Sequence, residues 1–178
     1  MNRWPCVVLL TLLALLPGAA RPVDSAGQSA PSQVQQVDWE ELLPENERGQ
    51  FASGAPAPVH DYLSGESGPA APQQVAVGVN AQLDGRTVKI PGFIVPLDLD
   101  EDHKVVEFFL VPYFGACIHV PPPPANQIVY VTLEKGIALD SMYEAYWITG
   151  KLSVKNKTTR LGAAAYTLAG RQIEVYKY

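Results

Sequence analysis

The sequence predicts an all-β fold with one or two short helices, a small OB-like barrel preceded by a flexible N-terminal linker. Three observations predict it. From Val75 onward the apolar residues alternate or run in short blocks separated by turn signals, the pattern of five or six strands within about 100 residues. Gly92 interrupts the first long strand, where a sharp coil would let one strand serve both halves of a barrel. Closure also removes exposed sheet edges, which favours a barrel over the competing small open sandwich.

Each element has its own signal. In Arg3 to Leu16, a basic residue is followed by an almost wholly apolar run from Cys6; Pro17-Gly18 breaks it, and Gly18-Ala19-Ala20 supplies small residues. This is the pattern of a cleavable signal peptide over residues 1–20, too short to span a bilayer, and no stable membrane anchor is expected after cleavage. Residues 21–36, rich in Ser, Gln, Ala, Gly and Pro, read as a flexible linker. Residues 37–74 read as a docking turn and a long loop: Asp38 caps a short helical turn, Trp39, Leu42 and Leu43 share a face, and Pro44 ends it.

The barrel is expected over 75–178. Leu83-Asp84-Gly85-Arg86 is a hairpin-turn signal ahead of the Arg86–Leu97 strand, which places Val88, Ile90 and Ile94 on one side and Thr87 and Lys89 on the other. Val105–Val111, nearly all apolar, suits a strand buried on both faces. Gln127–Leu133 is a third strand, and Glu134–Ala145 has room for one short helix. Tyr146, Ile148, Gly150, Leu152 and Val154 share one face of a fourth strand. Tyr166–Leu168 and Gln172–Tyr176 read as a closing hairpin across Ala169-Gly170-Arg171.

Charge narrows the function classes. The chain has a formal net charge of −5, and loss of the signal, which carries Arg3 and no acid, makes it one unit more negative. A nucleic-acid partner calls for a basic face, so no nucleic acid is expected. Of the two cysteines, Cys6 lies in the signal, leaving Cys117 with no partner for an internal disulfide.

Cys117 and His119 stand at i and i+2 just before four consecutive prolines, Pro121 to Pro124. On extended backbone both side chains leave the same face, and a thiolate with an imidazole suits a transition metal, zinc first. No third ligand is adjacent, although tetrahedral zinc needs one. The competing reading is a buried structural pair, since a lone cysteine packs as a small apolar group. Thiol catalysis by Cys117 activated by His119 is a further alternative. No recognisable catalytic constellation accompanies the pair, and the protein is read as a binding protein, not an enzyme. Tyr113 and Phe114 are expected to border a pocket beside this stretch, with Pro121, Pro122 and Asn126 as further binding candidates.

Two other patterns have plain readings. Asp98, Asp100 and Asp102 have calcium-loop spacing, but His103 stands where glycine is needed and Phe109 where a glutamate is needed, so a solvated acidic loop is expected. Asn156-Lys157-Thr158 matches a glycosylation sequon and reads as an ordinary turn.

Three segments together carry a resemblance: Asp38 to Pro44, Gly92 to Asp98, and Glu107 through Cys117, His119 and the proline run to Gln127. They resemble the DUF3299 family of exported bacterial proteins of unknown function, over about Val37–Tyr178. The resemblance implies a periplasmic protein from a Gram-negative source. Because some members are encoded beside ABC-transporter components in zinc-responsive gene clusters, it also implies an accessory role in zinc homeostasis, with envelope ABC-transporter components as partners. A protein-docking module without metal, presenting the stiff proline run to a partner, is the alternative.

Overall fold

The computed structural model describes residues 33–49, 73, 78–116, 122–139, 141 and 143–177. Six strands follow in chain order: β1 (Gln35–Gln36), β2 (Thr87–Leu99), β3 (Val105–Val111), β4 (Val129–Ile137), β5 (Ala145–Thr158) and β6 (Ala163–Val175). The sheet runs β1-β2-β3-β4-β6-β5, and a further β2–β5 pairing closes β2 to β6 into a five-stranded barrel. All barrel pairings are antiparallel except β4–β6. This is OB-like connectivity, and among the described residues the helical elements are short 3₁₀ turns.

Closure depends on β2 changing partners. Thr87 to Phe93 pair with β5, Phe93 to Leu99 pair with β3, and Phe93 itself faces both Ala145 and Val111. Gly92, one residue before, allows it. A Cβ there would lie 2.7 Å from the Val111 carbonyl oxygen and 2.9 Å from Leu110 Cγ, so the two backbones approach as only glycine permits. Alternation then assigns the faces: Val88, Ile90 and Ile94 point into the barrel with Phe108, Leu110, Val129, Val131, Ile148 and Leu152.

β3 is covered on both faces, as its composition predicts. Phe108 and Leu110 enter the barrel core, whereas Phe109 and Val111 join a second cluster with Val95, Ala116, Ile128, Tyr130 and Ala164. The β2–β3 connection is the acidic loop. Asp100 Oδ1 accepts from the Asp102 and Lys104 backbone N–H groups at 3.0 and 2.9 Å, and His103 takes a left-handed φ of 61°.

Four local expectations give way. Leu83 to Arg86 is no hairpin: a 3₁₀ turn, Ala81–Leu83, leads into β2, with Gly85 at φ 72° and Asp84 Oδ1 accepting from Val154 N–H. The expected helix between Glu134 and Ala145 is absent among the described residues, because β4 runs on to Ile137, which pairs with Val105, and the ladder satisfies that backbone. β6 is one continuous strand, not a hairpin. Gly150 pairs with Gly170 directly after Thr149 pairs with Gln172, so Ala169-Gly170-Arg171 forms a bulge, and a Cβ on Gly150 would run into the Ala169 carbonyl. Asn156 likewise lies within β5, not in a turn.

The N-terminal segment is tied to the barrel. Gln35 and Gln36 pair in parallel with Val88 and Lys89. The Trp39–Leu42 turn carries a capping box between Asp38 and Glu41, and Leu42 and Leu43 are fully buried. Tyr166, on β6 and fully buried, holds this segment: its hydroxyl donates to Leu42 O at 2.5 Å and accepts from Asn80 N–H at 2.6 Å.

Two variants test these constraints. Tyr166→Phe removes the shared hydroxyl from buried backbone groups, and urea titration at neutral pH is expected to show a loss of about 1–3 kcal/mol. Burial raises the Tyr166 pKa above its ordinary value, the hydrogen bond from Asn80 opposing it. With the folded value above the unfolded one, this contribution is complete below about pH 10 and is lost as pH rises past the raised value. The alkaline limb of stability should therefore be shallower in Tyr166→Phe. Gly92→Ala is expected to cost about 1–3 kcal/mol through overpacking against backbone that cannot yield; unchanged stability would contradict the close approach.

Candidate functional site

The sequence candidates fall in two groups. Cys117, His119 and Pro121 lie outside the described residues, whereas Tyr113, Phe114, Pro122 and Asn126 lie within them. Among the described residues no group of three or more His, Cys, Asp or Glu side chains could hold a metal ion.

Tyr113 and Phe114 take different places. Tyr113 is partly buried against the second apolar cluster beside Val111 and Ala116. Phe114, 46 % exposed, turns outward just before Gly115, whose φ of 83° lies in the left-handed region that favours glycine. Its ring meets Phe93 edge-on at 6.1 Å and lies against Tyr143 at 4.8 Å, tilted by 35°. Tyr143 is 76 % exposed, so the pair forms an aromatic ledge open to solvent.

Beside the ledge is a hollow of about 190 Å³ lined by Trp39, Pro91, Gly92, Phe93, Pro112, Ala145 and Tyr176. Its position follows from the barrel. Pro91 and Phe93 flank Gly92 on β2 and point outward because Ile90 and Ile94 point in; Trp147 and Ala145 face them across the β5 pairing. Trp39 enters from the N-terminal turn and is fixed by a 2.7 Å bond from Nε1 to the Pro91 carbonyl. Tyr176 stacks on Trp147 at 5.1 Å. Lys89 lies 5.3 Å over Trp147 and pairs with Glu174, whose carboxyl is held below its ordinary range first by that hydrogen bond and then by the lysine charge. The hollow itself carries no charged side chain.

Asn126 and Gln127 stand behind this surface. Both are buried, at 2 and 4 % exposure. Asn126 Nδ2 donates to Gly78 O at 2.8 Å, and Gln127 Nε2 donates to Trp39 O at 2.9 Å. Asn126 Oδ1 is buried with no hydrogen-bond partner. Pro122 is partly buried, ahead of buried Pro123 and Pro124. The Pro123 carbonyl accepts from Gln73 Nε2 at 3.0 Å, and the same carboxamide brackets Ala163 through its N–H and C=O.

A sequence model of DUF3299, described as a protein of unknown function, matches residues 39–175. The chain belongs to the DUF3299 family. Its structure is similar to the crystal structure of a DUF3299 family protein from Pseudomonas aeruginosa PAO1, with 42 % sequence identity and a TM-score of 0.69, covering 82 % of this chain and 98 % of that one. No curated protein matches the chain. The matched residues contain the whole aromatic ledge and the lining of the hollow except Tyr176.

Sequence reasoning singled out Phe114 but missed the hollow. Trp39, the Pro91 and Phe93 pair, and Tyr176 come from separate parts of the chain and meet only once the N-terminal turn docks on the closed barrel. The available signal was the outward register of Pro91 and Phe93 around Gly92. Gln127→Met should test how Trp39 is held: loss of the bond to the Trp39 carbonyl is expected to lower stability by about 1–3 kcal/mol and to shift tryptophan emission to the red. A spectrum unchanged by the substitution would contradict the latch.

Proposed function

We propose that this DUF3299 protein is a periplasmic binding module that docks an extended, apolar or proline-bearing segment of a cell-envelope partner on the aromatic ledge and hollow. The carrying observation is the aromatic surface running from Tyr143 and Phe114 through Phe93 to Trp39 and Tyr176, whose hollow carries no charged side chain. Aromatic-lined grooves suit polyproline II segments, which are already extended and lose little entropy on docking. Export is supported by the Arg3, Cys6–Leu16 and Gly18-Ala19-Ala20 pattern. The family resemblance supports an envelope transport system as the setting, with its ABC-transporter components as partners.

Tryptophan fluorescence can read this site, because beyond Trp4 the chain has only Trp39 and Trp147, one lining the hollow and the other stacked on its Tyr176 wall. Titration with a short proline-alanine peptide is expected to give a saturable change in emission. The Phe114→Ala/Tyr143→Ala variant, which alters two exposed rings, should bind at least about tenfold more weakly, a loss of about 1.4 kcal/mol. Equal binding by both proteins would refute the assignment.

A second reading places a transition metal, zinc first, at Cys117 and His119, supported by the donor chemistry and the i, i+2 spacing of that pair. Metal analysis of the purified protein should then show zinc that is lost in Cys117→Ala/His119→Ala. Equal, substoichiometric zinc in both would remove this reading.

A further inference from the structure

A second concave surface lies further along β5, on the outer face shared with β6 and β4. It is a groove of about 290 Å³ lined by Lys151, Lys155 and Lys157 together with Ser153, Asn156, Thr132, Thr167 and Tyr130 at its polar walls. We infer that this groove is a binding site for a phosphate-class oxyanion, such as a small phosphorylated molecule or a phospholipid headgroup.

The placement of the lysines is built into the strand. In a regular strand successive side chains point to opposite faces, so Lys155, Asn156 and Lys157 could not all border one groove. They do so because β5 carries a bulge: Val154 pairs with Tyr166 and Lys157 with Ala164, three steps on β5 against two on β6. The extra residue lets Asn156 border the groove beside Lys155 and Lys157; bulges are over-represented at sheet edges and barrel rims as well as next to active sites. Lys151 and Ser153 extend the same face at the ordinary strand spacing of about 7 Å per two residues.

The electrostatics point the same way. The chain is acidic, with 18 acidic residues against 13 basic ones, yet three lysines gather here and no carboxylate lines the groove. Among the described residues no salt bridge joins Lys151, Lys155 or Lys157 to an acid. Tyr130 on the groove wall has its pKa raised above the ordinary value, first by burial and then by the carboxylates of Glu107 and Asp98, neither of which lines the groove. Lys157 Nζ is held 4.7 Å over the Tyr130 ring, which fixes one cation without neutralising it. Lysine ammonium groups act as point charges for phosphate, and the Ser, Thr and Asn side chains supply neutral donors around them.

Inorganic pyrophosphate is the probe, titrated calorimetrically into the full chain at low and at physiological ionic strength. One-to-one binding is expected, weakened at least about tenfold in Lys155→Gln/Lys157→Gln and weaker at higher salt. The control Lys135→Gln/Arg171→Gln/Lys177→Gln removes three exposed charges elsewhere and should bind as the parent does. Co-sedimentation with phosphatidylglycerol vesicles separates the sources: sedimentation competed by pyrophosphate assigns a headgroup, whereas pyrophosphate binding without sedimentation assigns a soluble phosphate. Equal weakening in the groove and control variants, or binding of neither probe, would overturn the proposal.

Discussion

The barrel depends on a backbone approach at Gly92. A side chain there would meet the Val111 carbonyl oxygen and Leu110, and β2 could not pass from β5 to β3 within a single residue. Two features follow from that passage. Inside, Ile90 and Ile94 reach the core from either side of the kink. Outside, Pro91 and Phe93 point away from the core on either side of the passage, and Trp39 and Tyr176 join them around the hollow. The passage that closes the fold therefore also borders the aromatic hollow.

Much of this was legible in the residues. Strand alternation at Val88, Ile90 and Ile94 and the continuous apolar run of β3 reported faces and burial correctly, because one or both sides of each strand meet hydrocarbon. Gly92 could be read as a kink since glycine inside a strand of branched residues needs a steric reason. Local turn chemistry was less reliable. Gly85 and Gly170 both resemble hairpin turns in sequence, yet one follows a 3₁₀ turn and the other sits in a bulge. Whether a glycine reverses the chain or only bends it depends on the neighbouring strand, and β5 is long enough to pair with all of β6.

The functional surface was legible only in part. Phe114 was identifiable because it stands beside the Cys117, His119 and proline stretch; its partners Phe93 and Tyr143 come from other parts of the chain. The polar supports were harder to foresee. Asn126 stood out as a candidate beside the proline run and Gln127 did not, yet both are buried, and Gln127 reaches back 88 residues to hold the Trp39 carbonyl. Such ties explain why the N-terminal turn belongs to the site: Trp39 is fixed at its indole by Pro91 and at its backbone by Gln127, and Leu42 of the same turn is held by Tyr166. The same strand, β5, borders the aromatic hollow near Ala145 and the lysine groove beyond Lys151, so one rigid element presents two chemically different surfaces.

The most direct test of the docking surface is a residue-by-residue map of amide chemical shifts as a proline-alanine peptide is added to isotope-labelled protein. The account predicts that perturbations centre on Phe93, Phe114, Tyr143, Ala145 and Tyr176 and on the Trp39 indole N–H, with the barrel interior unmoved. Shifts confined to other faces, or a spectrum that does not respond, would contradict it.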